Sequence, residues 1–177
     1  MSSESILAAQ QRLTRLVQQR PGVALVEETP AIAQWEGAGK THTRHPDGNV
    51  IHTDLPRELG GDGERVSPGW LLRAAMASCA VTRIAMLANE TGVALQKLEA
   101  EVGSITDVHG LLGLSREDGQ PASPGPTQAR LQVRIAAAQV PDEQLRELVS
   151  EAIRLSPMVA AFRDAIPVQL DIDTGPA

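Results

Sequence analysis

Cys79 is the single cysteine of the chain and stands within Ser67-Pro68-Gly69-Trp70-Leu71-Leu72-Arg73-Ala74-Ala75-Met76-Ala77-Ser78-Cys79-Ala80-Val81-Thr82-Arg83-Ile84, its most apolar segment. The chemistry open to it is nucleophilic attack, which requires the thiolate; a free thiol of pKa about 8.5 is mostly protonated at neutral pH. Arg83, four residues later, can share a helical face with the sulfur, and a guanidinium there favours the thiolate. The helix start contributes little: the eleven residues from Pro68 to Cys79 rise roughly 16 Å, beyond the first-turn reach of the dipole. Burial in an apolar helix acts the other way, favouring the neutral thiol. A plainer reading stands beside this one. A lone buried cysteine serves as a small hydrophobe, and Arg83 then forms an ion pair with Glu90 or with a carboxylate of a partner.

Other chemistries find less support. His42, His45 and His52 lie close enough in sequence to suggest a site with Cys79, and Cys and His suit zinc. Their spacing matches no zinc pattern, however, and His42 and His45 do not share a face, so no metal is expected. Gly60-Gly61-Asp62-Gly63 lacks the Lys-Ser/Thr ending of a phosphate loop, and no nucleophile elbow supports a Ser-His-Asp hydrolase. No cofactor is expected.

The elements that must position Cys79 can be read from pattern. Ile6, Leu7, Leu13, Leu16 and Val17 recur at helical spacing over residues 5–19 and predict an amphipathic helix ended near Pro21-Gly22. Val23 to Gln34 reads as a strand broken at Thr29-Pro30. Lys40 to Arg44 alternates, His45-Pro46-Asp47-Gly48 is a turn, and Asn49 to Thr53 returns as the second strand of a hairpin. Ser67 as N-cap and Pro68 at the first position open a helix running to about Asn89, with Gly92 as its stop. Apolar almost all round, this helix is expected to be central and buried. A strand over Val93 to Thr106 follows, then a Gly-, Pro- and Ser-rich excursion over 107–127, a strand over Ala129 to Ala138 and a helix from Pro141. A short helix, capped by Ser156 and opened by Pro157, runs to about Ala165, and Val168, Leu170 and Ile172 alternate as a last strand. This order predicts an α+β fold.

Bulk properties set the frame. With 177 residues, 42% hydrophobic and 21% charged, the chain fits one domain with a sizeable core. Trp35, Trp70 and Phe162 are its whole aromatic content, so aliphatic side chains and methionine must fill the interior. A net charge of −6 argues against nucleic acid or an anionic membrane as partner. No stretch reaches the ~20 apolar residues of a membrane span, and Met1 to Ser5 carry no basic region or apolar run of a signal peptide. A cytoplasmic protein is expected.

Pro56-Arg57-Glu58-Leu59-Gly60-Gly61, then Ser67-Pro68, then Ala77-Ser78-Cys79 together resemble the osmotically inducible protein C (OsmC) and organic hydroperoxide resistance superfamily. The spacing from Pro68 to Cys79 is kept, and the resemblance runs from about Trp35 to the C-terminus. It implies residues 23–177 as one OsmC-like domain behind an N-terminal helix over 1–22. The implied fold is a curved antiparallel sheet wrapped on a central helix in an intertwined homodimer. It implies reduction of organic hydroperoxides by a peroxidatic cysteine, matched by Cys79, with a stabilising arginine best matched by Arg44. Two family residues are missing: the glutamate after the helix-opening proline is Gly69 here, and the second cysteine, before a proline, is Ser156. A serine cannot form a disulfide, so the expectation is one-cysteine catalysis with an external thiol as reductant and Arg44 and Arg83 at the thiolate. Glu58, the nearest carboxylate to replace the missing one, is expected instead to pair with Arg57 in solvent. Trp70, Leu72, Met76 and Met86 suggest an apolar wall for a hydrophobic substrate. The alternative is a protein that has lost turnover and binds a small apolar ligand at the dimer interface.

Overall fold

The computed structural model describes residues 3–164 and 166–174. Its elements run α1 (Ser3–Gln19), β1 (Ile32–Gly37), β2 (Lys40–Arg44), β3 (Val50–Thr53), α2 (Pro68–Glu90), β4 (Leu95–Thr106), α3 (Val108–Leu111), β5 (Pro126–Ala137), α4 (Asp142–Arg154) and α5 (Pro157–Arg163). Single 3-10 turns form at Pro21–Val23 and Arg57–Leu59. The fold is α+β, with β1-β2-β3 as an antiparallel meander and β4-β5 as a long antiparallel pair.

The core forms where α2 and α4 meet β4 and β5. Ile84 and Ala88 of α2, Val93, and Leu145, Leu148 and Ala152 of α4 are buried together, with Leu95, Leu98, Val133 and Ile135 of the strands packed against them. On α4 the buried residues recur at i, i+3 and i+7, one apolar face of a helix. Asp142 and Glu143 lie in its first turn and Arg154 in its last, signs that complement the helix dipole.

The boundaries of α2 agree with its sequence signals. The Ser67 hydroxyl accepts from the Trp70 N–H at 3.1 Å, Pro68 fills the first position, and Gly92 adopts φ +72° just beyond the end, a conformation glycine takes without strain. All-round burial does not follow. Met76, Ala80, Ile84 and Ala88 form the buried stripe, while Trp70 and Leu72, in the first turn and a half, are exposed, left uncovered by the α1, β4, α4 and α5 elements that pack on the helix. A second expectation also changes: by length and composition α2 reaches the threshold of a membrane span. Its buried stripe is nevertheless the centre of the packed core, and Arg73 and Arg83 interrupt it.

Three further expectations are corrected. The strand read over Val23 to Gln34 begins only at Ile32 and continues to Gly37, since Pro30 cannot donate to a ladder. The 107–127 excursion is structured in part, by α3 and by a bridge between Ser115 and Pro121. Val168, Leu170 and Ile172 form no strand and are 90%, 78% and 75% exposed; alternation alone does not make a strand when no neighbour pairs with its backbone. The helix opened by Pro157 ends at Arg163, and Ala165 lies outside the described residues.

The meander is an arm with little cover. Every residue of β1 except Gly37 is exposed, Trp35 by 75%. A compact loop joins it to α2. The Asp54 N–H donates to the Val66 carbonyl at 3.1 Å, Leu55 to Gly39 at 3.2 Å and Gly61 to Pro56 at 3.1 Å, so both ends of the loop are tied down. A Cβ at Gly61 would overlap the Leu55 carbonyl, which restricts that position of the Pro56–Gly61 motif to glycine.

Candidate active site

Cys79 lies beside the buried stripe of α2 and is partly exposed. The corner between α4 and α5 faces it. At that corner the backbone of Ser156 is already satisfied: its N–H donates to the Ile153 carbonyl at 3.1 Å and its carbonyl accepts from Ala160 at 2.9 Å. The side chain makes no capping bond to α5, contrary to the expectation from Ser156-Pro157. Instead the hydroxyl donates to Cys79 Sγ at 3.4 Å. Ser156 is fully buried, and a buried hydroxyl requires a partner. The sulfur is that partner. Sequence reasoning missed this contact; the available signal was the resemblance, which implies a Cys-Pro pair where Ser156-Pro157 stands.

A cleft of about 370 Å³ is lined by Met76, Leu131, Ile153, Val159, Phe162 and Arg163 among others, and by neither Cys79 nor Ser156. Met76 precedes Cys79 by three residues and so shares its helical face. Of the expected wall, Met76 alone lines this cleft; Trp70 and Leu72 point elsewhere and are exposed.

Among the described residues neither arginine donates to the thiol. Arg83 Nη1 donates to Glu90 Oε1 at 3.4 Å, and Gln10 of α1 donates to the same oxygen at 2.6 Å. Arg44, at the end of β2, donates through Nη2 to Gln34 Oε1 at 2.6 Å. The structure thus brings Cys79 and Ser156 together and leaves Arg44 on the exposed meander. Gly69, in the first turn of α2, has room for a side chain: a Cβ there would make ordinary contacts with Arg73 Nη1 at 3.8 Å and Ser67 Oγ at 3.9 Å.

The loop before α2 is held by charge. Lys40 Nζ lies 2.6 Å from Asp62 and 3.5 Å from Glu64. The hydrogen bond from Lys40 holds the Asp62 carboxyl below its ordinary range, and the same pairing raises Lys40. Arg57 donates to the Asp62 carbonyl at 2.9 Å and forms no ion pair with Glu58, because its guanidinium is taken up inside the loop. On the meander, Arg65 donates to Glu36 Oε2 at 2.7 Å and thereby lowers the Glu36 carboxyl.

His42 and His52 share Glu36, while His45 and His109 each pair with an aspartate. His42 contacts Glu36 and Gln34, each at 3.1 Å, and His45 lies 2.7 Å from Asp47. His52 faces His42 across the β2–β3 ladder, with ring centroids 6.0 Å apart.

Comparison with known proteins agrees with the fold. An organic hydroperoxide resistance protein OsmC from Legionella pneumophila is 23% identical, with a TM-score of 0.55 over 79% of this chain and 92% of that one. An OsmC-like protein from Mycoplasma pneumoniae gives a TM-score of 0.65 at 13% identity, over 80% and 91% of the two chains. A Vibrio cholerae structure, described as an organic hydroperoxide resistance protein with captopril in one of its active sites, is 28% identical, with a TM-score of 0.52 over 82% and 91%. Among curated protein sequences none matches. The model of the OsmC-like protein family matches residues 61–171, from the glycine that closes the loop to the exposed C-terminal segment. This chain belongs to the OsmC-like protein family and is similar to a protein described as an organic hydroperoxide resistance protein.

Proposed function

We propose that this protein is a one-cysteine, thiol-dependent reductase of organic hydroperoxides. The observation that carries the reading is a partly exposed Cys79 whose sulfur accepts a hydrogen bond from Ser156 at the family's second-cysteine position. The Cys79 thiolate attacks the distal peroxide oxygen. The O–O bond breaks, the alcohol leaves after taking a proton, and the sulfur is oxidised to a sulfenic acid. An external thiol condenses with the sulfenic acid, releasing water and forming a mixed disulfide. A second external thiol then displaces Cys79, and the two external thiols leave as a disulfide, carrying away the two electrons' worth of oxidation.

The substrate is a hydrophobic hydroperoxide, favoured by the apolar cleft at Met76, Ile153, Val159 and Phe162. The working unit is a homodimer. Support comes from the exposed apolar residues that one chain leaves uncovered on α2, β1 and the C-terminal segment, namely Trp70, Leu72, Trp35, Val168, Leu170 and Ile172. In that assembly a meander brings Arg44 to a thiol, and Arg83 approaches Cys79 from its own helix. The protein acts in the cytoplasm, without nucleic acid or membrane as partner, in keeping with its net charge of −6.

The test is consumption of an alkyl hydroperoxide, such as cumene hydroperoxide, with dithiothreitol as reductant. Wild type should turn over and Cys79→Ser should not; equal rates would end the proposal.

A second reading is favoured by the engagement of Arg83 with Glu90 and of Arg44 with Gln34. In it the protein no longer turns over and binds a small apolar ligand at the dimer interface. A thiol that labels slowly in the native state and quickly in urea would support this version.

A further inference from the structure

Replacement of the family's second cysteine by Ser156 removes a disulfide but leaves a hydrogen-bond donor at the same place. We infer that Ser156 stabilises the Cys79 thiolate, and after oxidation the sulfenate, through its hydroxyl. This deepens the peroxidase proposal, and its catalytic consequence rests on that reading.

Three observations carry the inference. The Ser156 hydroxyl donates to Cys79 Sγ at 3.4 Å. It has no second duty: the backbone groups of Ser156 are bonded elsewhere, and its side chain does not cap α5. Ser156 is also fully buried, so water does not compete for the donor. A neutral thiol is a weak acceptor, whereas a thiolate is a full anion, and hydrogen bonds to charged groups are about twice as strong as neutral ones. The contact therefore favours the ionised sulfur. It also needs no second chain, unlike an arginine delivered from a partner's meander. Because the hydroxyl cannot condense with a sulfenic acid, the oxidised sulfur stays open to an external thiol. One position thus stabilises the nucleophile and keeps its oxidised form reducible.

The test is the pH profile of Cys79 alkylation by iodoacetamide in wild type, Ser156→Ala and Ser156→Thr, run beside hydroperoxide turnover of the wild type. Ser156→Ala should move the midpoint of the profile upward by about one pH unit and slow alkylation at pH 7 about tenfold, the scale of one hydrogen bond to an anion. Ser156→Thr, which keeps the hydroxyl, should restore most of the rate. A change in access alone would scale the rate equally at every pH and leave the midpoint in place. An unmoved midpoint in Ser156→Ala overturns the inference, while wild-type turnover would still uphold the peroxidase. A moved midpoint without wild-type turnover sustains Ser156 as the thiolate donor and ends the peroxidase. Should Ser156→Ala fail to fold, Ser156→Cys decides: diamide should close a disulfide to Cys79, with the loss of both free thiols, and persistence of both would refute the geometry.

Discussion

Arg83 lies one helical turn from Cys79, yet its guanidinium donates to Glu90 Oε1 at 3.4 Å, where Gln10 of α1 also binds. Glu90 therefore holds the cation that helical spacing from Cys79 would otherwise allow to reach the thiol. Removing the carboxylate charge with Glu90→Gln should free Arg83 and raise the neutral-pH alkylation rate of Cys79 about threefold, whereas Arg83→Ala should lower it. Both charges are partly accessible, Arg83 by 16% and Glu90 by 35%, so the changes should shrink in part in high salt. Unchanged rates in both variants would assign Arg83 to tying α1 against α2.

Gly69 occupies the first turn of α2 with room for a side chain. Gly69→Glu replaces the most flexible residue by a helix former and sets a negative charge near a helix N-terminus. It should stabilise the fold by about 1 kcal/mol, read as a higher urea midpoint. On the proposed function it should also raise hydroperoxide turnover, since it supplies the carboxylate that the family resemblance implies at this position. A loss of stability would mean the backbone there rejects a side chain.

The Lys40–Asp62 pair gives the loop before α2 a defined pH window. Asp62 is lowered from its ordinary 3.8 by the Lys40 hydrogen bond, so its contribution is present above that value and is lost as the pH falls through the folded-state value. Lys40 is raised from 10.5, chiefly by Asp62, so its contribution is present below 10.5 and is lost as the pH climbs through its folded-state value. Thermal unfolding of wild type and Asp62→Asn should differ by a small, constant amount between pH 5 and about 9. The two curves should converge in strong acid. A difference that persists at pH 2 would contradict the pairing.

Ile84 is fully buried at the centre of the α2 stripe. Ile84→Ala should cost about 2–5 kcal/mol, measured as a lower urea midpoint with an unchanged slope. A loss under 1 kcal/mol would place the core elsewhere.

The sequence by itself determined the limits of α2, because Ser67, Pro68 and Gly92 act on their own backbone neighbours. It likewise determined the turn at His45–Gly48, the alternating strand now seen as β5 and the apolar face of α4, since each is a local steric or solvation preference. The family, too, was legible in the Pro56–Gly61 loop and the Pro68–Cys79 spacing.

Tertiary structure decided what depends on distant partners. Ser156 and Cys79 are 77 residues apart; whether Ser156 caps a helix or donates to sulfur depends on which buried acceptor the α4–α5 corner meets. The choice between Glu90 and the thiol as partner of Arg83 was settled by Glu90 and the arrival of Gln10 from α1. The alternation of Val168, Leu170 and Ile172 became no strand, since a strand exists only where another backbone accepts its hydrogen bonds. Likewise α2 is apolar almost all round by sequence, but the elements that pack on it, α1, β4, α4 and α5, leave Trp70 and Leu72 uncovered.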